Sequence, residues 1–201
     1  MFELLFERRL AMQANTIRAS APTRIDLAGG WTDVPSFANV HEGEVVAFAI
    51  HLRASAKVQR TLDGRLRGCY ESSTPVGGGL GTTGSVNVAL MAAMDAGKSK
   101  PEDIAERAFN FESLIGNSGG RQDQYMSAFG GFNNLAFNRD GVRKIPMEIP
   151  ENFRSWLRQN LLLFDTKIPH KSGSLHDCIW RRFVDGDEDV INALHGLKEA
   201  A

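Results

Sequence analysis

The chain has 201 residues, 42% hydrophobic and 23% charged, with a formal net charge of −1. This length supports one sizeable core, or one domain and part of a second, and the near-neutral balance gives no global pull toward nucleic acid or anionic membrane. Cys69 and Cys178 set up no disulfide framework, which predicts a reducing compartment. Glu3, Glu7, Arg8 and Arg9 break any apolar signal core, and no stretch reaches the roughly 18 apolar residues of a membrane span. A cytoplasmic protein without a membrane or nucleic-acid partner is expected.

In chain order, residues 1–14 read as a short amphipathic helix on Phe2, Leu5, Phe6 and Leu10, forming an N-terminal extension. Thr16 to Ala28 reads as two extended pieces around Pro22, broken at Gly29-Gly30. Val45 to Val58 reads as paired strands, and Asp63-Gly64 as a hairpin turn into the next segment. Pro75 to Gly84 is a glycine-rich loop that runs into a helix with Val86, Leu90 and Ala93 on one face and Gly97 as its stop. A second helix opens at Ser99 with Glu102 at capping-box spacing, its stripe being Ile104, Ala108, Phe111 and Ile115. Gln122 to Phe129 is a short helix, Phe132–Phe137 and Val142–Met147 a hairpin about Asp140-Gly141, and Leu161–Phe164 a buried strand. Helices over about 172–184 and 187–200 close the chain. Trp156 and Trp180 read as core or lobe-interface residues. His170 and His176 lack partners at metal-ligand spacing. The elements mix without the regular alternation of a parallel sheet, which predicts an α+β fold.

Three segments carry chemistry. Five glycines among residues 77–84 let the backbone approach a ligand and expose its N–H groups. The helix start at Thr82 or Thr83 adds unpaired donors and the positive end of the macrodipole, so a polyphosphate is the natural guest. A loop that merely caps the helix is the plainer alternative. No Lys-Ser or Lys-Thr follows, so this is not a Walker A loop, and the GxGxxG match from Gly79 to Gly84 lacks a βαβ context.

Glu112 lies at the flank of its helix's apolar stripe and Asp123 at the start of the next helix. A carboxylate half-turned to the core needs a partner such as a metal ion, and a helix N-terminus favours an ionised one. The alternatives are a rim carboxylate bridged to Arg107 or Arg121, and a plain capping Asp. Arg24 alternates with Ile25 and Leu27, which sends it to the polar face of its strand. There it would pair with Asp123 or a transferring phosphoryl group, or else form an ordinary surface ion pair. Asp33, on the turn after Gly29-Gly30, is placed to accept hydrogen bonds from a polyol.

Taken in order, Ala21–Asp33, Pro75–Ser85 and Phe111-Glu112 through Gln124 resemble the motifs of the GHMP kinases, with Asp123 eleven residues after Glu112 as in that family. Ala28-Gly29-Gly30-Trp31-Thr32-Asp33 and Gln122-Asp123-Gln124-Tyr125 look most like the branch of heptose 7-phosphate kinase and L-fucokinase. The resemblance implies a kinase N-terminal domain of the ribosomal protein S5 domain 2-like kind over 15–157, and the start of a ferredoxin-like C-terminal domain over 158–201. It implies ATP and Mg2+ as cofactors and a small-molecule sugar as substrate. Gly77, Gly78, Gly79, Gly81, Thr82 and Thr83 would wrap the ATP phosphates, with Thr83 and Glu112 holding magnesium. Asp123 would take the proton of the sugar hydroxyl, Arg24 would steady the phosphoryl group, and Asp33 would bind sugar hydroxyls.

The chain also departs from that pattern. Thr82-Thr83-Gly84 stands where Ser-Ser-Ala is usual, the interval from Arg53 to Pro75 is short, and the third glycine-rich motif is not found. A fragment, a shortened product or a non-catalytic relative that binds sugar or nucleotide is therefore the second expectation. A dinucleotide-binding oxidoreductase resting on GxGxxG is a remote third.

Overall fold

A computed structural model of the chain describes residues 5–8, 16–61, 63–116, 119–168 and 172–201. Its elements are β1 (Leu5–Arg8), β2 (Thr16–Ala28), α1 (Pro35–His41), β3 (Gly43–Arg60), β4 (Leu66–Ser72), α2 (Thr82–Asp95) and α3 (Pro101–Leu114), followed by α4 (Gln122–Phe129), β5 (Phe132–Asn138), β6 (Gly141–Ile145), α5 (Glu151–Asn160), α6 (Ser172–Val184) and α7 (Glu188–Glu199). The strands form one antiparallel sheet in the order β1-β2-β3-β5-β6, with β4 also paired to β3.

The run from Val45 to Val58 does not fold back on itself as a pair. It is part of a single 18-residue strand, β3, with β2 along one edge. Its other edge is shared, with β5 at Gly43–Phe48 and β4 at Ala54–Arg60. Alternate β3 residues Val45, Ala47, Ala56 and Val58 are buried against the helices. α2 supplies Val88, Ala89, Ala92 and Ala93 to the same core, α3 Ile104 and Ala108, and α4 Met126. So many alanines let helix and sheet backbones approach closely, which suits an interior packed at crystal-like density.

A second apolar cluster joins Val34 and Phe37, at the start and within α1, to Trp180 of α6 and Val190 and Leu194 of α7. Lys198 adds a hydrogen bond from its Nζ to the carbonyl of His41 at 2.8 Å. Asp187 caps α7 by accepting from the N–H groups of Asp189 and Val190 at 3.1 and 3.3 Å, so the expected start of this helix holds.

Several sequence expectations are corrected. Leu5–Arg8 is a strand paired with β2, not helix, because the β2 edge offers a hydrogen-bond ladder that a short isolated helix cannot match. Residues 1–4 and 9–14 lie outside the described residues, as does His170. The helix expected from Ser99 starts at Pro101, because Asp95 captures both the N–H and the hydroxyl of Ser99 at 2.6 and 2.7 Å. Asp103 then accepts from the Lys100 N–H at 3.3 Å, and Glu102 has no such role. Ile115 falls past the end of α3 and is exposed.

Leu161–Phe164 is neither buried nor a strand, and Phe164 is 79% exposed. Among the described residues no strand lies beside it, so its backbone has no ladder to join. Residues 158–201 therefore contribute the end of α5, α6 and α7 and, among the described residues, no sheet of their own. Trp156 sits on exposed α5, whereas Trp180 is buried as expected. All strand pairings among the described residues are antiparallel, which removes the dinucleotide-binding reading of GxGxxG.

Candidate active site

The pairing register of β2 shifts between Pro22 and Arg24, where the Thr23 hydroxyl donates to the carbonyl of Leu52 at 2.9 Å. Such an irregularity re-aims the side chains beyond it. Simple alternation put Arg24 toward solvent, yet it is only 7% exposed and points at the glycine-rich loop. Its N–H donates to the Leu80 carbonyl at 3.0 Å, and Nη1 donates to the Gly79 carbonyl at 2.6 Å. Nη2 pairs with Asp123 Oδ1 at 2.6 Å. One guanidinium thus joins the strand, the loop and the first turn of α4 by charge-assisted bonds, and the surface ion-pair alternative is excluded.

Between β4 and α2 the loop carries positive φ at Gly77, Gly79 and Gly81, at 80°, 78° and 68°. The sequence of left-handed residues turns the backbone into the start of α2, whose first intrahelical bond runs from the Ser85 N–H to the Gly81 carbonyl at 3.0 Å. Thr82 faces inward. Its hydroxyl donates to the Pro75 carbonyl at 3.0 Å and shares a 2.8 Å hydrogen bond with Thr74, so its side chain braces the loop from below. Thr83 is half-buried one turn before Asn87, and the Asn87 amide donates to Glu112 Oε1 at 2.8 Å. The Asn87–Glu112 bond thereby joins α2 to α3, with Thr83 four residues earlier on α2. Glu112 is 9% exposed, and Arg107 and Arg121 pair with Asp95 and Glu106, at 2.7 and 3.1 Å.

Asp123 lies in the first turn of α4, whose N-cap residue Arg121 makes no side-chain capping bond. It packs on the N-terminal turn of α2, where a Cβ built on Gly84 would stand 2.7 Å from the Asp123 Cβ. Only a residue without a side chain leaves this approach open.

The structure gives Asp33 a different setting from the one expected. It is 1% exposed, and its Oδ2 accepts the Gln122 N–H at 2.8 Å. A Cβ on Gly120 would fall on that same oxygen. Burial pushes its pKa up to about 6, with the negative charge of Asp123 adding and the Gln122 N–H opposing. Asp33 therefore ties the first motif to the start of α4, one residue before Asp123.

The acid that sequence reasoning missed is Asp26, two residues beyond Arg24 on the same face of β2 and half-buried. Burial raises its pKa against the opposing charge of Arg24, and the charge of Asp123 raises it further. The signal that would have found it is the two-residue period from Arg24.

The comparisons agree with this architecture. Residues 45–131 match the family model of the GHMP kinases N terminal domain. Within those residues the chain is similar to a GHMP kinase N-terminal domain. D-glycero-alpha-D-manno-heptose 7-phosphate kinase of Campylobacter jejuni is 25% identical over 237 residues, covering 92% of this chain and 69% of that protein. The structure of a D-glycero-D-manno-heptose 1-phosphate kinase from Bacteroides thetaiotaomicron superposes with a TM-score of 0.60 at 23% identity, over 67% of this chain and 60% of that one. Lactococcus lactis galactokinase, solved with galactose, gives a TM-score of 0.51 at 13% identity, over 67% of this chain and 48% of its own. At these identities the solved structures share the fold. The chain spans less than two thirds of both solved kinases.

Proposed function

We propose that the protein phosphorylates a sugar or sugar phosphate with ATP and Mg2+, at an anomeric hydroxyl of the heptose 7-phosphate or L-fucose type. The observation that carries this reading is the Arg24–Asp123 pair, 2.6 Å apart and held against a left-handed glycine loop at a helix N-terminus. Phosphoryl transfer asks a protein mainly for positioning and charge stabilisation, and these residues offer both.

In this reading the backbone N–H groups from Gly77 to Thr83 bind the phosphates, helped by the α2 dipole. Asp123 accepts the proton of the attacking hydroxyl at its carboxylate. Arg24 holds that carboxylate in place and faces the phosphoryl group as its charge develops. Asp33 and Gln122 fix where Asp123 starts. The Thr83 hydroxyl and the Glu112 carboxylate are hard oxygen donors on α2 and α3, helices joined by the Asn87–Glu112 bond, and such donors suit magnesium held by few protein ligands together with substrate phosphates. When bound there, the ion would neutralise phosphate charge. Residues 15–157 would form the nucleotide-binding domain and 158–201 the start of a second.

The test is magnesium-dependent ADP release across L-fucose, D-galactose and manno-heptose 7-phosphate. Turnover with one sugar that falls at least about 100-fold in Asp123→Ala, with ATP affinity retained, is the expected result. A folded protein that turns over none of them would make a non-catalytic relative the better account.

A further inference from the structure

β4 pairs with β3 along one edge only, and all seven of its residues are exposed. Among the described residues no strand lies along its second edge. A bare row of backbone N–H and C=O groups is a template for another strand, and proteins usually blunt it with proline or a bulge. β4 has neither device. It contains no proline, and its register against β3 runs unbroken from Leu66 to Ser72.

The phase of the ladder decides which groups stand free. Just past its two ends the Thr61 N–H donates to the Arg65 carbonyl at 2.8 Å, and the Ser73 N–H to the Arg53 carbonyl at 3.0 Å. Bonded and non-bonded pairs alternate in an antiparallel ladder, so Arg67, Cys69 and Glu71 commit their backbone groups to β3. Leu66, Gly68, Tyr70 and Ser72 direct theirs outward. The side chains divide in the same way. Gly68 and Tyr70 share the face toward the helices, where Leu90 of α2 stands 3.2 Å from a Cβ built on Gly68. Arg67, Cys69 and Glu71 share the other face. Among the described residues neither Arg67 nor Glu71 has an ion-pair partner in its own chain.

We propose that β4 pairs antiparallel with β4 of a second copy of this chain, centred on Cys69, to give a two-fold dimer with one continuous sheet. The inference goes beyond the kinase reading and does not depend on it. Overlaying the whole strand on itself sets Leu66 opposite Ser72, Arg67 opposite Glu71 and Gly68 opposite Tyr70. Opposite charges then face each other directly across the pair, twice by symmetry. The free backbone groups of Gly68 meet those of Tyr70. The Tyr70 ring, 61% exposed in the single chain, comes to lie beside Gly68 and Leu90, an aromatic cover for an edge glycine. Cys69 falls opposite its own copy at the closely spaced, non-bonded position, with about 4.5 Å between Cα atoms. The strand β6, at the end of the sheet, shows the contrast. Overlaid on itself it would set Arg143 against Arg143, a like-charge pair that disfavours the contact.

Sedimentation velocity of the full chain tests this. A lone strand pair sits at the small end of specific interfaces, so a dimer with a Kd on the order of 10 µM is expected over a range of about 1 to 200 µM. Arg67→Glu and Glu71→Arg each place like charges across the pair and should raise that Kd at least about tenfold. The double variant restores opposite charges and should return to within about threefold of the wild type. Melting curves establish that each variant is folded. Cys69 reports the register, because only this one brings its two copies within disulfide reach. In a Cys178→Ser background, copper(II)-phenanthroline should take one electron from each Cys69 thiol, with loss of both protons, and link two chains. Cys69→Ser should abolish the link. A chain that stays monomeric over the whole range would overturn the proposal. A dimer indifferent to both charge reversals, or one that the double variant fails to recover, would do the same. A charge-sensitive dimer without the Cys69 link would also sink it, since its strands would meet in another register.

Discussion

Burial takes Asp33 out of water without giving it a cation, and that has a measurable sign. Its pKa is pushed up to about 6 in the folded chain, against about 3.9 for an unfolded Asp. Between those values the folded state holds a proton the unfolded state has released. The stability contributed by this group is therefore full below about pH 4 and lost as the pH rises through 6, by up to about 3 kcal/mol. Asp33→Asn keeps an acceptor for the Gln122 N–H and cannot ionise. Urea midpoints at pH 4.5 and 7 should show the variant gaining on the wild type as pH rises. Parallel shifts of the two proteins would mean that Asp33 ionises freely. At Gly84 the prediction concerns geometry. A methyl group there meets Asp123 at 2.7 Å, so Gly84→Ala should lower kcat by at least tenfold with a small change in stability, since about 1 Å of misplacement costs rate steeply. This contact accounts for glycine in place of the alanine expected at the third position of Thr82-Thr83-Gly84. The residue types of the site were legible in the sequence because glycines, an Arg and two acids are unusual before and after helices. Their roles were less so. The fate of Asp33 turned on Gly120, and that of Arg24 on a shift of strand register.

The same division holds among the elements. α2, α4 and α7, the β3–β4 turn and the β5–β6 hairpin could be read locally, from periodicity and from Asp-Gly or Gly signals. α1 is seven residues long and lacks a side-chain cap, and Pro35 at its first position is a weak local signal for it. It exists because Phe37 is wholly buried against α6 and α7. Leu161–Phe164 misled for the opposite reason, since an apolar run forms a strand only where another strand receives it. Phe37→Ala is thus expected to cost about 3–5 kcal/mol, as for large aromatic truncations in a core. The loss should appear in urea midpoints followed by Trp180, whose ring packs in the same cluster. A cost below about 1 kcal/mol would mean that α6 and α7 hold to the domain by other contacts.

Over the whole molecule, two apolar clusters meet through α1. The larger fills the space between sheet and helices, and the smaller fastens α6 and α7 to it. Indole fluorescence from the smaller and far-ultraviolet dichroism from the larger should therefore lose signal at the same urea concentration, in one cooperative transition. An earlier fluorescence change would show α6 and α7 leaving first.

The long strand β3 also sets the order in which the chain can acquire its shape. Its pairing with β5 joins Gly43 to Phe137, a loop of roughly a hundred residues whose closure must be met in entropy before the contacts return it. α2, α3 and α4 all lie inside that loop, so they can form while it is still open. Refolding should consequently show helical signal early and sheet signal late, on the millisecond-to-second scale of proteins dominated by distant strand pairs. During that interval the lower half of β3 has one bare edge, and Phe132 to Asn138 is the segment that any crowding neighbour would have to outcompete.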